Sequence, residues 1–119
     1  MILVTGAAGY IGSHTWLALH EAGFAVVGLD SLVNSSRAVL PRLAALGADT
    51  TRFVEADVRD GTALDALFAE HPIEAVVHFA ALKAVGESVE RPLDYWDANI
   101  GGLVSLLRAM ERHGCRRLV

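Results

Sequence analysis

Cysteine is almost absent from this sequence. Cys115 stands alone among 119 residues, so no internal disulfide can form, and a cytoplasmic setting is the simplest reading. It follows a helix-ending glycine, Gly114, and reads as a bystander, not a nucleophile. Basic charge is thin as well. Ten Lys and Arg against 14 Asp and Glu leave a net charge of −4, and neither sign gathers into a run. Without a basic stripe there is no footprint for nucleic acid. No apolar stretch reaches the ~18 residues of a membrane span. The N-terminus lacks a basic segment followed by a cleavage site, so it reads as a strand and not as a secretory signal. Repeats, linkers and low-complexity segments are missing. The five histidines, His14, His20, His71, His78 and His113, share no metal-ligand spacing with one another or with Cys115. Ser88 and His78 have no third partner and no oxyanion device, which excludes a catalytic triad.

Aliphatic residues are what the chain has in quantity. It is 53% hydrophobic but only 7% aromatic, enough for the core of one domain over residues 1–119. Trp16 and Trp96 fall in helical stretches and read as packing residues. Apolar runs alternate with amphipathic stretches. Met1–Thr5, Ala25–Leu29, Thr51–Glu55 and Ala75–Phe79 read as strands, and their continuous apolarity suits a parallel sheet covered on both faces. Helices are expected at about Tyr10–Ala22, Ser36–Leu46, Thr62–Glu70 and Pro92–His113. Asp60 or Thr62 can cap the third helix, and Pro92 can open the fourth. The predicted fold is α/β: a Rossmann-like doubly wound parallel sheet of strand order 3-2-1-4, since right-handed crossovers force that order on four βα units. Arg116–Val119 reads as a fifth strand beside strand four, cut short. The expectation from this is an N-terminal part of a longer protein.

Chemistry concentrates at the carboxyl ends of the strands, where such sheets bind ligands. Behind the first strand stand Gly6, Gly9 and Gly12, followed at once by the first helix. Glycines let backbone approach a pyrophosphate, and a helix N-terminus presents free N–H groups. The alternative is a βαβ unit whose glycines serve packing alone. The second strand ends at Asp30, 18 residues after Gly12, near the offset at which a carboxylate meets the adenosine ribose. Such an acid repels a 2′-phosphate, so NAD is favoured over NADP; Arg37, expected in the second helix, weakens this slightly. Asn34 and Ser35 follow Asp30. The third strand ends in Asp57-Val58, placed for an adenine edge and face. The fourth ends in Phe79-Ala80-Ala81, with small side chains that leave room for a cofactor, and then Lys83. Lys83 is the only lysine of the chain: either a cation for the dinucleotide or a solvated loop residue. His78, within a buried strand, reads as a hydrogen-bonded core residue and not a base.

The runs Thr5-Gly6-Ala7-Ala8-Gly9-Tyr10-Ile11-Gly12-Ser13-His14-Thr15, Leu29-Asp30-Ser31-Leu32 with Asn34-Ser35, and Val77 to Ser88 closely resemble the UDP-glucose 4-epimerase family, of the extended short-chain dehydrogenase/reductase superfamily. The glycine motif is shared across the superfamily. Leu82–Ser88 and Pro92-Leu93-Asp94-Tyr95 are far more specific. The resemblance covers the whole chain, but only the N-terminal part of such an enzyme. It implies tightly held NAD and interconversion of UDP-glucose and UDP-galactose through a 4-keto intermediate. It implies cofactor contacts at Gly9, Tyr10, Ile11, Asp30, Asn34, Ser35, Asp57, Val58, Phe79, Ala80, Ala81, Lys83 and Asn99. It also implies a homodimer through the 92–113 helix, whose Trp96, Ile100, Leu103, Leu107 and Met110 form a stripe, with Val104 and Leu106 expected to face the sheet. The family's catalytic Tyr-x-x-x-Lys does not carry over: Tyr10 precedes His14, and Tyr95 precedes Asn99, at that spacing. So no catalytic residue is assigned, and the 119 residues alone are expected to be inactive. The chain departs from the pattern at Ser31, where asparagine is frequent, and at Gly101-Gly102-Leu103, where Asn-Gly-Thr is usual. Interior glycines there are expected to loosen the helix. Another nucleotide-sugar epimerase or dehydratase, or a dinucleotide-binding module without turnover, remain as alternatives.

Overall fold

A computed structural model describes all 119 residues, Met1–Val119. Four parallel strands form one sheet in the order β3-β2-β1-β4: β1 Ile2–Thr5, β2 Val26–Asp30, β3 Phe53–Glu55 and β4 Ala75–His78. In register, Ile2 lies beside Val26 on one side and Ala75 on the other, and Asp30 lies beside Glu55. Every residue of β2 is buried, as its unbroken apolar run requires. Side chains alternate between two cores. Leu3, Val27, Leu29 and Val76 meet α3 (Gly61–Glu70) and α6 (Gly102–Arg112) on one face; Val4 and Val26 meet α1 (Tyr10–Glu21) and α2 (Val39–Ala45) on the other. The sheet is therefore doubly wound. Trp16, fully buried, packs as expected and stacks on Phe53, ring centres 6.5 Å apart.

Asp60 is the cap of α3, its Oδ1 accepting the N–H groups of Thr62 and Ala63, each at 3.0 Å. α2 is shorter than its pattern predicts. The Ala38 N–H donates to Ser36 Oγ at 3.2 Å, and that local turn delays the helix. Arg37 thus precedes α2 instead of lying within it; it pairs with Glu55 and lies over the Phe53 ring, 5.4 Å from its centre. The chain end runs beside β4, as read: Val76 N–H donates to Arg117 carbonyl at 2.9 Å, and Val119 N–H to Val76 carbonyl at 3.0 Å, with one parallel bridge at Leu118.

The stretch 85–113 differs most. A short helix, α4 (Val85–Glu90), overlaps the end of the run taken as a motif, and the helix expected over 92–113 is present from Pro92 to Arg112 with a π-helical turn inside it. α5 (Pro92–Trp96), opened by Pro92, leads into a π-helical turn, Asp97–Gly101, and only then into α6. The apolar stripe is also revised. Trp96, Ile100 and Leu107 are exposed, but Met110 is 3% exposed and belongs to the core. Val104, assigned to the sheet side, faces outward, whereas Leu106 is buried as expected.

Candidate functional site

The glycine loop is shaped by close approach. Gly6 has φ +65°, and a Cβ there would meet the backbone of Phe79 and Ala80 at 2.8 Å, so the ends of β1 and β4 could not lie this close with any other residue. At Gly12 a Cβ would fall 2.0 Å from the Gly6 carbonyl oxygen. The loop can therefore fold onto the first turn of α1 only with glycine at 12, and lie against the end of β4 only with glycine at 6. α1 begins at Tyr10 with Gly9 as its cap residue and no side-chain cap. Its first N–H groups have no partner on the helix, and they carry the positive end of the helix dipole.

Asp30, 5% exposed, ties this loop to β2. Its Oδ2 accepts the Ala8 N–H at 2.9 Å; its Oδ1 accepts the Leu32 N–H at 2.9 Å and the Ser35 hydroxyl at 2.8 Å. The Leu32 bond holds a left-handed turn, φ 59°, which a leucine adopts only under such constraint. At the end of β4, Thr5 Oγ1 accepts the Ala80 N–H at 3.2 Å and meets His78 Nδ1 at 2.6 Å. His78 is hydrogen-bonded as expected, and burial lowers its pKa from the usual histidine value.

These strand ends surround a cleft of about 670 Å³. Gly6, Gly9, Tyr10, Ile11 and Gly12 line it from β1 and α1, Asp30 and Asn34 from β2, Asp57 and Val58 from β3, and Phe79, Ala80, Ala81 and Lys83 from β4. Two residues named from the sequence do not line it. Ser35 supports Asp30, and Asn99 spends its carboxamide on Leu82, accepting the Leu82 N–H at 2.7 Å and donating to its carbonyl at 2.9 Å. The neighbouring Ala98 faces the cleft in its place.

Arg59 is the charged cleft residue that the sequence reading missed, although it stands directly behind Asp57-Val58. It donates to both oxygens of Asp57, from Nε at 3.0 Å and Nη2 at 2.6 Å, and from Nη1 to Asp97 at 2.6 Å. Those hydrogen bonds hold the Asp57 carboxyl below the usual value and push the Arg59 guanidinium up. Asp57 thus meets the cleft as a neutralised pair and not as a free carboxylate.

A dinucleotide fits this donor set. The cradle at Gly12 admits no Cβ, free N–H groups of α1 suit a pyrophosphate, and Asp30 stands one strand over for a ribose. No three His, Cys, Asp or Glu side chains gather closely enough to hold a metal ion.

Fold and cleft together define a dinucleotide-binding α/β protein of the Rossmann type. Residues 2–119 match the NAD dependent epimerase/dehydratase family, and the chain belongs to it. It is 54% identical to UDP-glucose 4-epimerase 2 of rice, over 99% of this chain and 30% of that protein. It is 52% identical to the UDP-glucose 4-epimerase of Yersinia pestis, over 99% and 35%, and 47% identical to that of Klebsiella pneumoniae, over 99% and 85%. The chain thus spans about a third of the length of the rice and Yersinia relatives. Among solved structures, UDP-glucose 4-epimerase of Stenotrophomonas maltophila with bound NAD and formylated UDP-arabinopyranose superposes with a TM-score of 0.94 at 50% identity, covering 98% of this chain and 35% of that one. The enzyme of Bifidobacterium longum, in complex with NAD+ and UDP, gives 0.94 at 40% identity, over 98% and 35%.

Proposed function

We propose that this chain is the NAD-binding portion of a UDP-glucose 4-epimerase, which interconverts UDP-glucose and UDP-galactose through a 4-keto sugar. The observation that carries it is the joining of the Gly6–Gly12 loop to Asp30 through the Ala8 N–H, at the rim of a cleft large enough for a dinucleotide. The first turn of α1 holds the pyrophosphate, Asp30 the adenosine ribose, and the Asp57-Val58 wall the adenine. Phe79, Ala80, Ala81 and Lys83 flank the other half. NAD supplies a reversible hydride acceptor. Arg37 is engaged by Glu55, which leaves Asp30 to set the preference for NAD over NADP. The 119 residues hold cofactor without turning over sugar, because no Tyr-x-x-x-Lys pair is present to take the C4 hydroxyl proton.

The outward apolar residues of α5, the π turn and α6, with Leu93, Trp96, Ile100 and Leu107 exposed, are the surface through which two copies pair. No helix is long and apolar enough to cross a membrane, and the lone thiol of Cys115 suits the cytoplasm. Titration with NAD and NADP, followed by an assay of UDP-galactose conversion, tests the reading. NAD should bind in preference and the 119 residues should give no conversion. Equal affinity for the two cofactors, or turnover above a protein-free control, refutes it.

A further inference from the structure

The segment carrying Lys83 is fastened in an unusual way. α4, just beyond it, buries no side chain, so no apolar anchor fixes this stretch. Polar bonds flank Lys83 instead. On one side, the Asn99 carboxamide takes both the N–H and the carbonyl of Leu82, at 2.7 and 2.9 Å. On the other, the Ala84 N–H donates to the Tyr95 hydroxyl at 3.1 Å, and that hydroxyl donates to Glu87 Oε2 at 2.8 Å. The Glu87 bond turns the hydroxyl so that a lone pair meets Ala84. Tyr95 is 9% exposed, and burial with the Glu87 carboxylate pushes its pKa up, so the phenol stays a donor at neutral pH. Lys83 itself lines the cleft, is exposed, and joins none of the ion pairs. The chain thus holds both neighbours of its only lysine and leaves the ammonium free.

We infer that Asn99 and Tyr95 are positioning residues that set Lys83 at the β4 rim of the cleft, where its ammonium meets the half of the dinucleotide beyond the pyrophosphate. This rests on the proposed cofactor reading. The strand order gives it a direction. Asp30 ends β2 and Asp57 follows β3, on the adenosine side of the glycine loop, and Lys83 lies on the opposite side, after β4. Disturbing the clamp should weaken NAD and spare AMP, which reaches only the adenosine side.

The test is calorimetric titration of the purified protein with NAD and with AMP, in Lys83→Ala, Asn99→Ala and Tyr95→Phe and in each of the latter two combined with Lys83→Ala. Tyr95→Phe keeps the ring and its packing, so it reports even where Asn99→Ala folds poorly. Lys83→Ala should weaken NAD about tenfold or more, as expected for loss of a charged hydrogen bond. Asn99→Ala and Tyr95→Phe should each weaken it about threefold to tenfold, and neither should add to the loss in Lys83→Ala, because residues acting through one group are not additive. AMP affinity should hold throughout. Additive losses, equal losses for AMP and NAD, or NAD affinity intact in both clamp variants while Lys83→Ala weakens it, overturn the clamp alone. Absence of NAD binding by the unaltered protein, or no effect of Lys83→Ala, overturns the cofactor role of this rim and the clamp with it.

Discussion

Asp30→Asn isolates one bond at the centre of the site. The side chain keeps its shape, and its remaining oxygen can stay where Oδ1 accepts the Leu32 N–H and the Ser35 hydroxyl. The new amide nitrogen then faces the Ala8 N–H, donor against donor. Flipping the amide would surrender the Leu32 bond and release the left-handed turn at φ 59°. Ala8 is 3% exposed, so water cannot replace the lost acceptor. A buried donor left without a partner costs about 1–3 kcal/mol. At roughly 4–8 °C per kcal/mol for a domain near this size, ~2 kcal/mol lowers the melting temperature by about 10 °C. Urea denaturation of Asp30→Asn beside Ser35→Ala reads the difference. Ser35→Ala removes one half-buried hydroxyl bond and should cost about 0.5–1.5 kcal/mol, clearly less. NAD affinity should fall in Asp30→Asn as well, since the glycine loop loses its tie to β2. An Asn variant within about 0.5 kcal/mol of the parent, or a Ser35→Ala as costly as Asp30→Asn, would refute the claim that the Ala8 bond organises this corner.

Gly12→Ala places a methyl 2.0 Å from the Gly6 carbonyl, backbone against backbone, so the loop must move; a change of ~1.4 kcal/mol already weakens NAD tenfold, which titration would show, and unchanged affinity would contradict it. His78 has its pKa depressed by burial, so the unfolded chain binds its proton first: stability should be full above the ordinary value of 6.5 and fall as pH drops below it, and His78→Gln should flatten the urea midpoint across that range. Arg59→Met should cost little stability, since exposed ion pairs contribute about 0–1 kcal/mol, yet the Asp57 carboxyl, now held below 3.8, should titrate at higher pH by NMR; an unmoved titration would deny that Arg59 sets it. Leu107→Glu, on the outward face of α6, should abolish concentration-dependent self-association in light scattering, and a protein monomeric at every concentration before the change would defeat the pairing surface.

The sheet was legible because short strands, most of them apolar runs, each lead at or just past their carboxyl end into site residues, and because glycines and a cap such as Asp60 punctuate the helices. The cleft walls followed from that. Where the reading fell short, single side-chain bonds decided. Ser36 takes the Ala38 N–H and shortens α2, and Arg59 occupies Asp57; both bonds span two residues, but residue types alone do not show that they form. Asn99 has the right polarity for a ligand contact, and in the structure its carboxamide meets the Leu82 backbone. The stripe on α6 was drawn at one helical phase through 92–113. The π turn rotates α6 relative to α5, and within α6 Val104 and Leu106, two residues apart, point to nearly opposite faces, so Leu106 joins Ala109 and Met110 in the core while Val104 faces out.

That turn has a use which its sequence, Asp97-Ala98-Asn99-Ile100-Gly101, explains only together with the two loops it faces. Three consecutive residues reach three places. Asp97 accepts from Arg59 and so braces the loop after β3; Ala98 lines the cleft; Asn99 grips Leu82 and so braces the loop after β4. On a regular helix, adjacent side chains diverge by about 100°, and neighbours that serve one wall lie three or four residues apart. Here the walls themselves diverge, one from β3 and one from β4, on either side of β1 and β2. A single wide turn with a polar residue at each flank spans them. Just beyond, Gly102 packs where a Cβ would come 2.7 Å from Val58 Cγ1, so the helix start is seated directly on a residue that lines the cleft. The glycine pair that loosens the helix on propensity grounds therefore has a packing reason at its second member. Alanine at Gly102 would gain helix propensity but push on Val58, whereas at Gly101 it would meet only the Asp97 carboxylate at 3.2 Å. The π turn and the shape of the cleft are therefore linked through Asp97, Ala98 and Asn99.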